Sequence, residues 1–426
     1  MLKRTATYFN EHRVVAALVI FSLSFGIRFT LLMHYRSDIT TVGEGPRIAY
    51  ALITKGEFAD PYIVPTGPTA HTTPFFPFLL AIVYKIFGFT FAGQFVRCLV
   101  IISGYSLLYA LYPTIASAFG FPYLAGLLTG FLAALFPVKR SFEVFRAWEE
   151  PWAALSLAAL LILTLRRYKA PQRQLGTAIL LGIGWGLAFY VSFSLSSILA
   201  GLLLVDVLRN RSFRVLADGC IVVLIAAAVM SPWLLRNHTQ LHGWTLMRDN
   251  LGLELRFSNR DYAHAAAEVN AADPHSDGIH PSFSVSQALL VREMGELNYN
   301  KQQMHLALGW ISIHPGAFAR LTVERFLHFW LGPMEHKFEL LVTSFYTILG
   351  FLGIRYMREW VGEIQLRLWL TVLFFYPLLY YCVQYIPRYR VQIDWMIWLS
   401  AGLFVCVMLE KRLPWVRDLN AGQRHN

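Results

Sequence analysis

The sequence predicts an all-α polytopic membrane bundle of about ten spanning helices. Two observations carry this. The 426-residue chain is 56% hydrophobic and only 15% charged, whereas soluble domains average about 25% charged. Its apolar runs also repeatedly reach the ~17–25 residues that a bilayer-crossing helix needs.

The expected spans are 14–33, 92–116, 121–138, 151–167, 175–191, 194–208, 215–235, 338–356, 366–385 and 391–409. Residues 74–88 are apolar but short, and fit a re-entrant or interfacial helix. Three parts follow: an N-terminal membrane module (1–235), a polar outer segment (236–337) and C-terminal membrane helices with a tail (338–426). Within the polar segment a helical pattern runs from Val285 to about His314, where Pro315 ends it. Residues 318–330 form an amphipathic pattern that fits a surface helix or an extra span.

Charge orients the chain. With the N-terminus inside, the inner segments carry 17 Lys and Arg and the short outer loops 8. Positive residues favour the cytoplasmic side, so both termini are expected to be cytoplasmic. The loops 34–73 and 139–150, the 236–337 segment and the turn at Pro387–Arg390 then share the outer face. A bacterial inner membrane is the natural setting. The net charge of +11 belongs to helix ends facing lipid headgroups, not to nucleic-acid binding. Cys98, Cys220, Cys382 and Cys406 lie in apolar runs without CxxC spacing, which supports neither zinc nor a disulfide scaffold.

Candidate chemistry lies in the outer loops. Asp38 and Glu44 in the first loop are suited to general-base work. Glu44 equally suits a helix start before Gly45 and Pro46. Arg47 follows, and a Thr-Gly-Pro-Thr-Ala-His run ends at His71. In the second loop, Lys139 and Arg140 precede Glu143, Arg146 and Glu150, which fit one helical face as an ion-pair ladder. Glu149, after Trp148, lies off that face and is the freer acid. Arg236, Arg388 and Arg390 are candidates for holding a phosphate, or for anchoring at the membrane interface. Lys85 has the same two readings. His264, Asp273, His275, Asp277 and His280 form a loose group whose spacing fits no closed metal site. Asn237-His238-Thr239 matches a glycosylation triplet.

In combination these pieces resemble the GT-C class of polytopic glycosyltransferases, notably the bacterial branch related to protein O-mannosyltransferases and lipid A aminoarabinose transferases. The residues that carry the resemblance are Gly43-Glu44, Gly56-Glu57-Phe58, Thr66–His71, Pro74–Ala81, Lys85–Gly88, Trp148-Glu149, Ser231–Trp233 with Arg236-Asn237, Asn250–Glu254, His314-Pro315 with Arg325 and Trp330, and Arg388–Arg390. The resemblance implies a hexosyl- or pentosyltransferase that moves a monosaccharide from a polyprenyl-phosphate carrier to an acceptor lipid, glycan or protein. It implies Glu44 as base and Glu149 as the second acid, orienting the acceptor or supporting the base. Arg236, Arg388, Arg390 and Lys85 are implied for the carrier phosphate, and Arg47, His71 and Glu150 for shaping the acceptor side. No cofactor or metal is expected. Relatives often have an Asp-Glu pair in the first loop, whereas Asp38 and Glu44 stand six apart, so either remains eligible as base. The competing reading is a transporter or flippase of lipid-linked saccharides. It calls for mid-span charges and internal symmetry; the expected spans are poor in mid-membrane charge, with Arg97 and Asp206 near span ends, and no internal repeat is evident.

Overall fold

The computed structural model describes residues 2–39, 43–137, 142–146, 149–170, 174–273 and 278–421. The side chain of Asp38 is outside the described residues, as are Lys139, Arg140, Trp148, His275 and Asp277.

The described residues form an α-helical bundle. Its first half comprises α1 (Leu2–Glu11), α2 (Arg13–His34), α3 (Glu44–Lys55), α4 (Phe75–Phe87), α5 (Phe91–Ala110), α6 (Tyr112–Phe119), α7 (Tyr123–Leu135), α8 (Glu150–Lys169), α9 (Leu175–Val191), α10 (Ser196–Asn210) and α11 (Phe213–Leu241). The polar segment holds α12 (Leu251–Ser258), α13 (Ala267–Ala272), α14 (Val285–Met294), α15 (Glu296–Ile313) and α16 (Pro315–Leu331). The chain closes with α17 (Lys337–Trp360), α18 (Glu363–Phe375), α19 (Arg388–Glu410) and α20 (Pro414–Ala421).

Each of the ten expected spans falls on helix. Among the described residues, seven helices are long and apolar enough to cross a membrane, whereas α4, α7 and α9 are apolar but shorter. The protein is a multi-pass membrane protein. The 92–116 run is two helices, broken at Leu111 ahead of Pro113. Past α18 the chain tightens into a 3₁₀ turn at Tyr376–Tyr381, where Pro377 removes a backbone donor.

Small residues let the helices touch. A Cβ on Gly353 of α17 would lie 1.8 Å from the Ser400 carbonyl oxygen of α19, so only glycine permits this approach. Trp369 packs edge-on to Phe119 and Trp395, with ring centroids 4.8 and 5.5 Å apart.

Buried arginines staple the helix ends. Arg28 of α2 is fully buried and donates to Glu143 and to the Ala133 and Ala134 carbonyls, both at 3.0 Å. The ladder of Glu143, Arg146 and Glu150 is therefore not formed: Glu143 turns inward to Arg28, Arg146 is exposed, and Glu150 pairs with Arg388. Burial explains the change, because an unpaired guanidinium inside the bundle costs far more than an exposed helical ion pair returns. Arg325 of α16 donates to Asn259 Oδ1 and the Cys382 carbonyl, each at 3.0 Å, and to the Ser258 carbonyl.

The polar segment folds back over the first loop. The continuous helix expected over 285–314 breaks at Gly295, whose φ of +78° suits glycine. The break starts α15 at Glu296, whose carboxylate accepts from the Ala70 N–H at 2.6 Å and from the Thr69 hydroxyl. Arg236 of α11 grips the same segment and its neighbour, donating to the Thr69 carbonyl at 2.6 Å and the Phe58 carbonyl at 2.5 Å. Within the loop, Asp60 Oδ1 accepts from the Thr66 and Gly67 N–H groups at 2.9 Å.

Two outcomes follow. Arg28→Met leaves Glu143 buried without its partner and lowers stability by about 3–5 kcal/mol. Thermal melting in detergent checks this, and adding Glu143→Leu recovers much of the loss. Burial pushes the Glu296 carboxyl up to about 8 and that of Asp249 up to about 7. Between the ordinary carboxylate range and those values the folded state holds protons that the unfolded state has released. Their contribution to stability is therefore full at acid pH and is lost as pH rises toward about 8. Glu296→Gln flattens the decline in Tm between pH 5 and 8, and an unchanged slope would exclude Glu296 as its source.

Candidate active site

Glu44 opens α3 behind Gly43, whose φ is +140°. It is half-buried, and its carboxylate accepts from the Ser282 hydroxyl of the polar segment, 238 residues away in sequence. His71 ends the segment held by Arg236 and Glu296. Its Nδ1 lies 3.0 Å from the Tyr62 hydroxyl, and the His280 ring stands edge-on to it at 6.4 Å between centroids. His280 Nδ1 accepts from the Ser282 N–H at 3.1 Å, so a neutral His280 carries its proton on Nε2. His71, His280 and Ser282 are all buried.

The electrostatics sort the groups. Burial disfavours the charge on Glu44, but the His71 and His280 imidazoles and the Ser282 hydroxyl outweigh it and hold the carboxyl well below the usual range. Burial lowers the His71 pKa, and the nearby Arg248 and Arg388 push the same way against the pull of Glu44. The pair at neutral pH is a carboxylate beside a neutral imidazole.

Cations and further acids close the cluster. Arg248 Nε donates to the His71 carbonyl at 3.2 Å. Arg388 opens α19 and pairs with Glu150 of α8 at 3.5 Å, and Glu149 and Glu44 also lie within its electrostatic reach. The turn before it is braced by the Tyr380–Tyr389 ring stack at 4.4 Å and by the Tyr376 hydroxyl, which donates to the Tyr389 carbonyl at 2.7 Å. Arg47 flanks Glu44 and donates to the Pro61 carbonyl at 3.2 Å.

The fold thus gathers Glu44, Arg47, His71, Glu149, Glu150 and Arg388 at one end of the bundle. Other expected site residues stand elsewhere. Arg236 has its guanidinium on the first-loop carbonyls. Arg390 is fully buried, with Asp394 at 2.5 Å and the Trp330 carbonyl at 2.6 Å. Lys85 is exposed in the last turn of α4. Asn237 is fully buried and donates to the Leu246 carbonyl at 2.8 Å, so the glycosylation triplet is closed. Sequence reasoning missed Ser282, Arg248 and Tyr62, and considered His280 only for metal. Nothing local marks them. Among the described residues no group of three or more His, Cys, Asp or Glu is placed to hold a metal ion.

No protein-family model matches the chain, and none of the curated proteins does. Solved structures do. The apo oligosaccharyltransferase of Archaeoglobus fulgidus superposes with a TM-score of 0.51 at 15% identity, covering 96% of this chain and 52% of that one. The same enzyme tethered to an acceptor peptide gives 0.50 at 15%, covering 95% and 50%. This chain therefore spans about half the length of those structures. ArnT from Cupriavidus metallidurans is matched at 15% identity with a TM-score of 0.37, covering 94% and 78%. The likeness to the oligosaccharyltransferase extends over nearly the whole of this chain, and the two share a fold.

Proposed function

We propose that this protein is an inverting glycosyltransferase that moves one sugar from a polyprenyl-phosphate carrier to an acceptor hydroxyl. The observation that carries the reading is the convergence of Glu44, His71, His280 and Arg388 from four separate parts of the chain, on a GT-C fold. Acids alone would fit a cation site, and arginines alone an anion site. Transfer from a phosphate needs both, arranged around one reacting carbon.

The reaction is one displacement. The acceptor oxygen forms its bond to C1 while the C1–O bond to the carrier phosphate breaks, with its electron pair leaving on phosphate. The acceptor proton passes to Glu44. A carboxylate held below its usual pKa is a weak base toward a free alcohol. It suffices here, because the acceptor oxygen becomes strongly acidic as its bond to C1 forms. The departing carrier phosphate is already anionic, so cations serve it in place of a proton donor. Arg388 and Arg248 are the placed candidates. Tyr62 and Ser282 orient His71 and Glu44, while Glu149 and Glu150 bound the acceptor side together with Arg47. Arg236, Arg390 and Lys85 pass out of the donor-phosphate set. In this proposal the protein sits in a bacterial inner membrane with this cluster on the extracytoplasmic side, and the acceptor is taken to be a lipid, glycan or protein hydroxyl.

In proteoliposomes supplied with a polyprenyl-phosphate sugar, Glu44→Gln lowers kcat by about 10²–10⁴-fold while the protein still folds and binds carrier. Unchanged transfer would remove Glu44 as the base. The pH profile supplies a second check. Glu44 works when ionised, so the acid limb of kcat/KM lies below the ordinary carboxylate range. Ser282→Ala removes a hydrogen bond to the charged form and shifts that limb upward, whereas a merely structural serine would lower the whole profile without moving it.

A further inference from the structure

A second cavity, of about 520 Å³, lies at the opposite end of the bundle. Helix directions fix this. Glu150 starts α8 and Arg236 lies near the end of α11, both at the end that holds Glu44. The cavity is lined by the last turns of α8 and α10 and the first turns of α11 and α18.

Its wall is apolar, built from Leu181, Trp185, Leu199, Leu202, Leu203 and Val222. Its mouth is charged. Arg167 pairs with Asp218 at 2.9 Å, and the Tyr168 hydroxyl donates to Asp206 at 2.5 Å. The half-buried Arg367 lies over the Tyr168 ring, 5.5 Å from its centroid, and makes no ion pair with a described residue. Arg166, Lys169, Arg209 and Arg211 are exposed around the same end. The lining holds Arg167 and Arg367 against Asp206 and Asp218, both acids already have partners, and Glu363, one turn before Arg367, pairs with Arg358 at 3.2 Å. Arg367 is thus left to meet a negative headgroup, and the wall beneath suits a hydrocarbon chain.

We propose that this cavity binds one anionic phospholipid, with the lipid phosphate on Arg367 and an acyl chain along the Leu199–Leu203 wall. The occupant belongs to the membrane leaflet opposite the Glu44 cluster and is separate from the sugar carrier. The pairing of Asp206 and Asp218 argues against a zwitterionic headgroup, whose ammonium would need one of them. Bound there, the lipid wedges α10 and α11 against α8 and α18.

Native mass spectrometry of the full-length protein, titrated with dioleoyl-phosphatidylglycerol or dioleoyl-phosphatidylcholine, tests this. One phosphatidylglycerol is expected to bind in preference to phosphatidylcholine. Arg367→Gln should weaken it about fivefold, the effect of roughly one basic residue at a lipid surface. Leu203→Trp fills the wall and should abolish it. The two variants check each other, because Arg367 is only half-buried and its replacement leaves the packing intact. Equal retention of both lipids, no retained lipid, or variants that bind like the parent would overturn the proposal.

Discussion

The Thr69–His71 segment is held by two groups that reach it from distant helices, and the candidate site depends on that clamp. Arg236 takes carbonyls on one side, and Glu296 takes an N–H and a hydroxyl on the other. A loop buried under other segments cannot satisfy its backbone with water, so each covered polar group needs a protein partner. Arginine suits the task because one planar group serves several carbonyls at once. With that segment fixed, His71 has one position, and the polar segment that supplies Glu296 also lays Ser282 and His280 beside Glu44.

The same economy recurs around the bundle. Arg28, Arg325 and Arg390 each bind two or more main-chain carbonyls while buried. Two of the motifs that carried the family resemblance contain such a residue, Arg325 and Arg390, and a third holds the half-buried Arg236, which also takes two carbonyls. Their chemistry is real, but it is spent on the scaffold. Arg388 differs in facing carboxylates from two loops, with Glu150 at 3.5 Å.

Much of the architecture was legible in the sequence because membrane helices are written locally. An apolar run of sufficient length announces itself, and all ten expected segments are helical. The breaks were less legible. Gly295 looks like an ordinary glycine within a helical pattern, and only the fold shows that Glu296 must turn toward Ala70. The site was half legible. Glu44, Glu149 and Arg388 stood out because acids and arginines beside spans are rare enough to notice. Ser282, Arg248 and Tyr62 did not, since their meaning lies in contacts across large sequence separations. Glu143 was misassigned for the same reason: its partner Arg28 lies 115 residues away.

In the proposed reaction the carrier phosphate is held at the Glu44 cluster by Arg388 and Arg248. A cryo-electron microscopy structure of the protein in a nanodisc with a polyprenyl phosphate measures this directly. The account predicts phosphate density within hydrogen-bond distance of Arg388, with Glu44 facing the open side and Arg236 and Arg390 still on their carbonyls. Phosphate density on Arg236 or Arg390, or only at the Arg367 end of the bundle, would contradict it.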